Sequence, residues 1–208
     1  MVHMENLSQH HLDVLQEIGN IGAGNAATAL SALLNKKIDM KIPAIKIVEF
    51  NELMEDVGGP EEVIVSVFLR IQGEAPGSMF FVLSPNEASS LVEQVTGNAS
   101  DDLTESDLAL SAISEIGNIL SGSYLSALSD FTSINLQPTV PNVSIDMAAA
   151  ILMQGLIEIS MESDYAIMID TTIKEEGERS SSIKGHFFLL PDPTSFDKIF
   201  SSLGVEDQ

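Results

Sequence analysis

The chain repeats itself. LDVLQEIGNIGAGNAATAL at 12–30 aligns with LSAISEIGNILSGSYLSAL at 110–128, shifted by 98 residues, and KIPAIKI at 41–47 stands opposite TVPNVSI at 139–145 at the same shift. Further on, GSMFFVLSPNEASSLVEQVTG at 77–97 resembles GHFFLLPDPTSFDKIFSSLG at 185–204, with the shift read as 107. The second half has therefore gained about nine residues, placed most simply in the polar KEEGERSSS at 174–182. Two long copies point to one duplicated domain over 1–208 with pseudo-two-fold symmetry, its repeats spanning about 8–97 and 104–204. A solenoid would need three or more units.

Each half reads alike. A long helix opens it, over Ser8–Asn35 and over Thr104–Ser129, the second with a capping start at Thr104, Glu105 and Asp107. Alternating apolar residues predict strands near 37–49, 63–72 and 77–83, and near 132–146, 164–173 and 183–190. Shorter helices close the halves around 85–96 and 193–203, announced by Pro85 and by Pro191 and Pro193. For 147–160 periodicity leaves helix and strand both open. No linker rich in Gly, Pro or Ser divides the halves, so one fused α+β domain is expected.

Composition narrows the function. Nine Lys and Arg against 31 Asp and Glu give a net charge of −22, a surface that repels nucleic-acid backbones and anionic lipid. The absence of cysteine removes disulfides, thiolate metal sites and a cysteine nucleophile. No apolar run reaches the roughly 20 residues of a membrane span, and MVHMENLSQHH at the N-terminus lacks the pattern of a signal peptide. The expected location is the cytoplasm. His3, His10, His11 and His186 do not form a metal-ligand set, and no Ser-His-Asp arrangement is visible.

One stretch imitates a nucleotide site. Gly22-Ala-Gly24-Asn-Ala-Ala27 satisfies the G-x-G-x-x-A form of the dinucleotide fingerprint, with Asp39 available as a ribose acid. That fingerprint needs a hydrophobic strand directly before the glycines. Here Leu12, Leu15 and Ile18 stand at helical spacing instead, and the second copy has Leu120 where the first has Gly22. The small residues Gly22, Ala23, Gly24, Ala26 and Ala27 read as a surface for close helix packing, with Leu12, Leu15, Ala26, Ala29, Leu30 and Leu33 facing the core.

What both copies keep is polar. Asp13, Glu17, Asn20 and Pro43 recur at identical spacing as Ser111, Glu115, Asn118 and Pro141, and Gly19 recurs as Gly117. Positions i, i+4 and i+7 of a helix fall within about 60° of one another, so each set of three makes one polar stripe. Asparagine is a mediocre helix former, so propensity gives no reason to place it twice in mid-helix. Pro43 and Pro141 are expected to shape the strand after the helix, and Asp13 and Ser111, which differ, to serve local hydrogen bonding.

The doubled pattern, with GNIGAG, GSMFF and LSGSYL, resembles the CheC/CheX/FliY family of chemotaxis phosphatases, most of all its CheC-type members. The resemblance covers essentially the whole chain. It implies two long helices on a continuous, mainly antiparallel sheet, and an enzyme that hydrolyses the phosphoaspartate of the response regulator CheY and contributes to chemotactic adaptation. Its catalytic residues carry over onto Glu17, Asn20, Glu115 and Asn118. No cofactor of the chain's own is implied; Mg²⁺ would come with the bound regulator. The receptor deamidase CheD is implied as a second partner, and the helix near 193–203 is the surface suggested for it. The rival reading is a non-catalytic flagellar-switch-like module that binds phosphorylated CheY. Such relatives lack the Glu/Asn pairs, so the presence of both pairs favours the enzyme. A motor component would also carry a long regulator-binding extension and an appended switch domain, which these 208 residues do not show.

Overall fold

The computed structural model describes residues 9–97, 103–156, 165–176 and 182–203. The first half runs α1 (Gln9–Leu34), β1 (Ile38–Lys41), β2 (Ile45–Glu49), α2 (Phe50–Asp56), β3 (Val63–Gly73), β4 (Gly77–Leu83) and α3 (Pro85–Thr96). The second repeats it as α4 (Asp107–Thr132), β5 (Leu136–Pro138), β6 (Asn142–Met147), α5 (Ala148–Leu156), β7 (Tyr165–Glu175), β8 (Ile183–Pro191) and α6 (Pro193–Ser202).

Local chemistry sets the boundaries. Helix α1 stops where Asn35 turns left-handed at φ 51°, and α4 where Ser133 does so at φ 56°, the usual way a helix ends when a short polar side chain tolerates that backbone. Helix α3 starts at Pro85 behind Ser84, whose hydroxyl accepts from Glu87 N at 3.2 Å, and ends on Gly97 at φ 71°. The capping start expected at Thr104 is corrected. Ser106 holds the extended backbone of the cap and accepts from Ala109 N at 3.2 Å, so the helix begins at Asp107 and runs on to Thr132.

The eight strands form one sheet in the order β1-β7-β8-β4-β3-β5, with β2 continuing β1 along β7 and β6 continuing β5 along β3, all antiparallel. The halves therefore interlock: the first half's opening strands pair with the second half's β7, and the second half's opening strands pair with β3. At the centre Phe80 lies opposite Phe188. This register corrects the shift of 107. Met79 and Phe187 bury into one core and Phe80 and Phe188 into the other, so equivalent residues of β4 and β8 are separated by an even number of positions. A shift of 107 would put each counterpart on the wrong face.

The strands expected at 37–49 and 132–146 are each broken in two. Lys41 pairs with Thr172 and Ile45 with Ile169, so Ile42, Pro43 and Ala44 oppose only Asp170 and Thr171. Likewise Thr139, Val140 and Pro141 oppose only Leu69 and Arg70. Each break is a one-residue bulge on an edge strand, with the proline where no ladder donor is required.

The sheet buries both faces. On one, α1, α4, α3 and α6 enclose the larger core, in which Leu15, Ile18, Leu30, Ile113, Ile116, Leu120, Phe81 and Phe187 are buried. On the other, Leu53 of α2 and Ala148, Ile151 and Leu152 of α5 pack over Phe80, Val82, Met168 and Phe188. Helix α2 was not anticipated from the sequence, and of 147–160, left open between helix and strand, Met147 ends β6 and α5 takes 148–156 as helix; residues 157–160 lie outside the described residues. The tip of the 174–182 insertion, 177–181, lies outside them too. The predicted core face of α1 also needs revision. Leu15, Ala26 and Leu30 are buried, but Ala29 and Leu33 are exposed, because the buried line runs through His11, Leu15, Ile18, Gly22, Ala26 and Leu30.

Candidate active site

The close crossing of the two long helices determines what they expose. Gly22 meets Tyr124 so tightly that a Cβ added to the glycine would fall 2.8 Å from Tyr124 Cδ1 and 3.0 Å from its Cα. At the positions equivalent by the 98-residue shift, α1 has Ala26 and α4 has Leu120, both buried. Small residues on α1 thus face large ones on α4. Gly24 has nothing within 4 Å of such a Cβ. Both glycines of the supposed nucleotide fingerprint sit inside a continuous helix, with no preceding strand and no helix N-terminus to hold phosphate. One serves packing and the other is open to solvent.

Each helix also lies close against the sheet. A Cβ on Gly19 would come 2.7 Å from Ile42 Cδ1, and one on Gly117 would come 2.6, 2.8 and 2.9 Å from Val67 Cγ1, Cγ2 and Cβ. These two glycines immediately precede the asparagines. They are the positions the sequence reading underweighted, though their recurrence in both copies was the available signal. By letting the helix sit low on the sheet they fix where the next residue, about 100° further round the helix and exposed, projects.

The stripes fall where the spacing placed them. Asp13, Glu17 and Asn20 are exposed on α1, and Ser111, Glu115 and Asn118 are exposed on α4. Asp13 accepts a hydrogen bond from Gln9 Nε2 at 2.9 Å. Among the described residues, the side chains of Glu17, Asn20, Glu115 and Asn118 form no hydrogen bond or ion pair, leaving two carboxylates and two carboxamides free for a partner. The stripes differ at their leading ends, where an exposed His10 in the first corresponds to Leu108, 61% exposed, in the second. Pro43 and Pro141 are not part of either stripe; they occupy the strand bulges. His11 is buried at 2% exposure with its ring edge-on to Phe200 at 5.3 Å, a core residue.

The model of the CheC-like family matches residues 11–47 and 108–145, the two helices and the bulged strands that follow them. The CheY-P phosphatase CheC of Bacillus subtilis is 43% identical over 202 residues, covering 96% of each chain. This chain belongs to the CheC-like family. It is also 27% identical to the flagellar motor switch phosphatase FliY of Bacillus subtilis over 144 residues, which cover 68% of this chain and 37% of that protein. Among solved structures, FliY of Thermotoga maritima superposes with a TM-score of 0.75 at 21% identity, over 96% of this chain and 98% of that one. The FliM middle domain of H. pylori gives 0.66 at 14% identity, over 94% and 99%. These structural likenesses establish the family's duplicated α+β fold.

Proposed function

We propose that the protein is a phosphatase that hydrolyses the phosphoaspartate of the chemotaxis response regulator CheY. The observation that carries this reading is the pair of exposed side chains, Glu17 with Asn20 and Glu115 with Asn118, unpartnered among the described residues on both long helices. Family membership at 43% identity to a CheY-P phosphatase supports the same substrate.

An aspartyl phosphate is an activated acyl phosphate. Water attacks phosphorus, the bond to the aspartyl oxygen breaks, and inorganic phosphate leaves with the carboxylate restored. The transition state is loose, so positioning and charge neutralisation matter more than a strong base. A carboxamide accepts one hydrogen bond from a water and donates another to a phosphoryl oxygen. Asn20 and Asn118 fill that role, each holding a water in line. Glu17 and Glu115, nearly one helical turn earlier, pair with a lysine of the regulator and set the depth of insertion. Mg²⁺ is supplied by the regulator.

The flagellar-switch reading shares this fold, and the two free Glu/Asn pairs favour the enzyme over it. CheD is assigned to the exposed side of α6, whose other side buries Phe196, Ile199 and Phe200 in the core. No described helix is long and apolar enough to cross a membrane, and action on CheY places the protein in the cytoplasm, where phosphate removal contributes to adaptation. The test is direct: phosphorylated CheY is mixed with the protein in the presence of Mg²⁺ and acyl-phosphate decay is followed. Decay should be faster than for the regulator alone. Binding with an unchanged decay rate would favour the switch-like module.

A further inference from the structure

With nine Lys and Arg against 31 Asp and Glu, carboxylate partners are abundant in this chain. Three exposed lysines nevertheless share one part of the sheet: Lys41 on β1, Lys174 on β7 and Lys184 on β8. Lys41 and Lys184 both pair in register with Thr172, one from each side, and Lys174 pairs with Asp39. Cross-strand partners and residues two apart face the same way, so all three ammonium groups stand on one face of the sheet. Their neighbours Met40, Ile173 and Ile183 point to the other side, into the core beneath α1 and α4. Asp39, Lys41, Thr172, Lys174 and Ser182 line an open cleft there of about 310 Å³, and Lys184 flanks it.

Lys41 has Asp39 at 3.7 Å. Among the described residues, Lys174 and Lys184 form no ion pair or hydrogen bond. Of the carboxylates near them, Glu175 pairs with Lys36 at 2.9 Å, Glu176 with Lys37 at 3.3 Å and Asp170 with His186 at 2.9 Å, while Asp56 and Glu87 share a second cleft with Lys184. The duplicated half supplies an internal control. There Thr139 replaces Lys41, and the one cation, Arg70, donates to Ser78 at 2.8 Å and to Asp192 at 3.0 Å. The fold does not require a lysine triad, and the cation it places in the equivalent region is neutralised internally.

We propose that this face docks an acidic segment of a partner protein. Neighbouring strands lie about 4.8 Å apart, so the backbones of Lys41 and Lys184 stand roughly 10 Å apart across β7. Carboxylates on successive side chains of a peptide span that distance, whereas one compact oxyanion does not. A second copy of this chain would bring a net charge of −22 with it and is repelled.

The test uses a short fluorescein-labelled polyglutamate peptide and fluorescence anisotropy at low salt. Saturable binding is expected, weakened roughly tenfold by the combined Lys41→Gln, Lys174→Gln and Lys184→Gln variant, as three exposed ion pairs warrant. It should be retained by the three Lys→Arg changes and reduced at high salt. All three side chains are exposed, so circular dichroism should show both variants folded. Absence of saturable binding by the unaltered protein, or equal binding by the glutamine variant, overturns the proposal. So does displacement of the peptide by an equimolar amount of inorganic phosphate, which would reassign the cleft to a small oxyanion.

Discussion

Gly117 lies flat against Val67: a methyl group on the glycine would approach Val67 Cγ1 to 2.6 Å and its Cβ to 2.9 Å. Valine is β-branched and stiff, so it cannot swing aside. Gly117→Ala should therefore lift α4 from β3 and destabilise the protein by about 1–3 kcal/mol, as overpacking does. Gly19→Ala meets the far ends of two flexible side chains, Ile42 Cδ1 at 2.7 Å and Ile45 Cδ1 at an ordinary 3.5 Å, and the first can rotate away. Chemical denaturation of the two variants should rank Gly117→Ala as clearly the more damaging.

Gly24 is the contrasting case, since nothing lies within 4 Å of an added Cβ. In mid-helix, replacing glycine with alanine at an open site stabilises by about 0.5–1 kcal/mol. Gly24→Ala should raise the denaturation midpoint. A loss of stability would mean that this glycine needs its conformational freedom, as a phosphate-binding loop would.

Tyr124 reports on the helix crossing. Its ring packs on Phe187 at 4.7 Å, its hydroxyl meets Thr171 Oγ1 at 3.3 Å, and burial pushes its pKa up to about 12. A folded-state pKa above the unfolded value means that the folded state holds the proton more tightly. The resulting stability is complete below about pH 10 and is lost as pH rises towards 12, on the order of 2 kcal/mol in all. Tyr124→Phe should cost about 1 kcal/mol at neutral pH and abolish this part of the alkaline decline, measured by urea melts between pH 9 and 12.

The exchange of edge strands makes each half incomplete: β7 takes its partners β1 and β2 from the first half, and β3 takes β5 and β6 from the second. Fragments divided between residues 97 and 103 should each fail to unfold cooperatively alone. Mixed or co-expressed, they should recover a cooperative transition, read by circular dichroism. Independent folding of either fragment would contradict the interlocked topology.

Much of this was legible in the chain. The 98-residue repeat identified both long helices, and i, i+4, i+7 spacing placed Glu17 and Asn20 on one exposed face before any coordinates. Other features were beyond it for physical reasons. The seven residues of α2 are too few to show a period. The breaks at Pro43 and Pro141 depend on a partner strand distant in sequence. The face of α1 was misassigned at Ala29 and Leu33 because the buried line drifts slowly around a long helix. Gly19 and Gly117 were visible as repeated letters, but their closeness to Ile42 and Val67 is a tertiary fact.

The most direct measurement is the rate of phosphate loss from labelled CheY with the unaltered protein, Asn20→Ala, Asn118→Ala and the double variant. Each single variant should retain hydrolysis through its remaining stripe. The double variant should fall to the regulator's own rate while still binding it, since the docking role proposed for Glu17 and Glu115 is left intact. A double variant as active as the unaltered protein would show that neither carboxamide positions the attacking water.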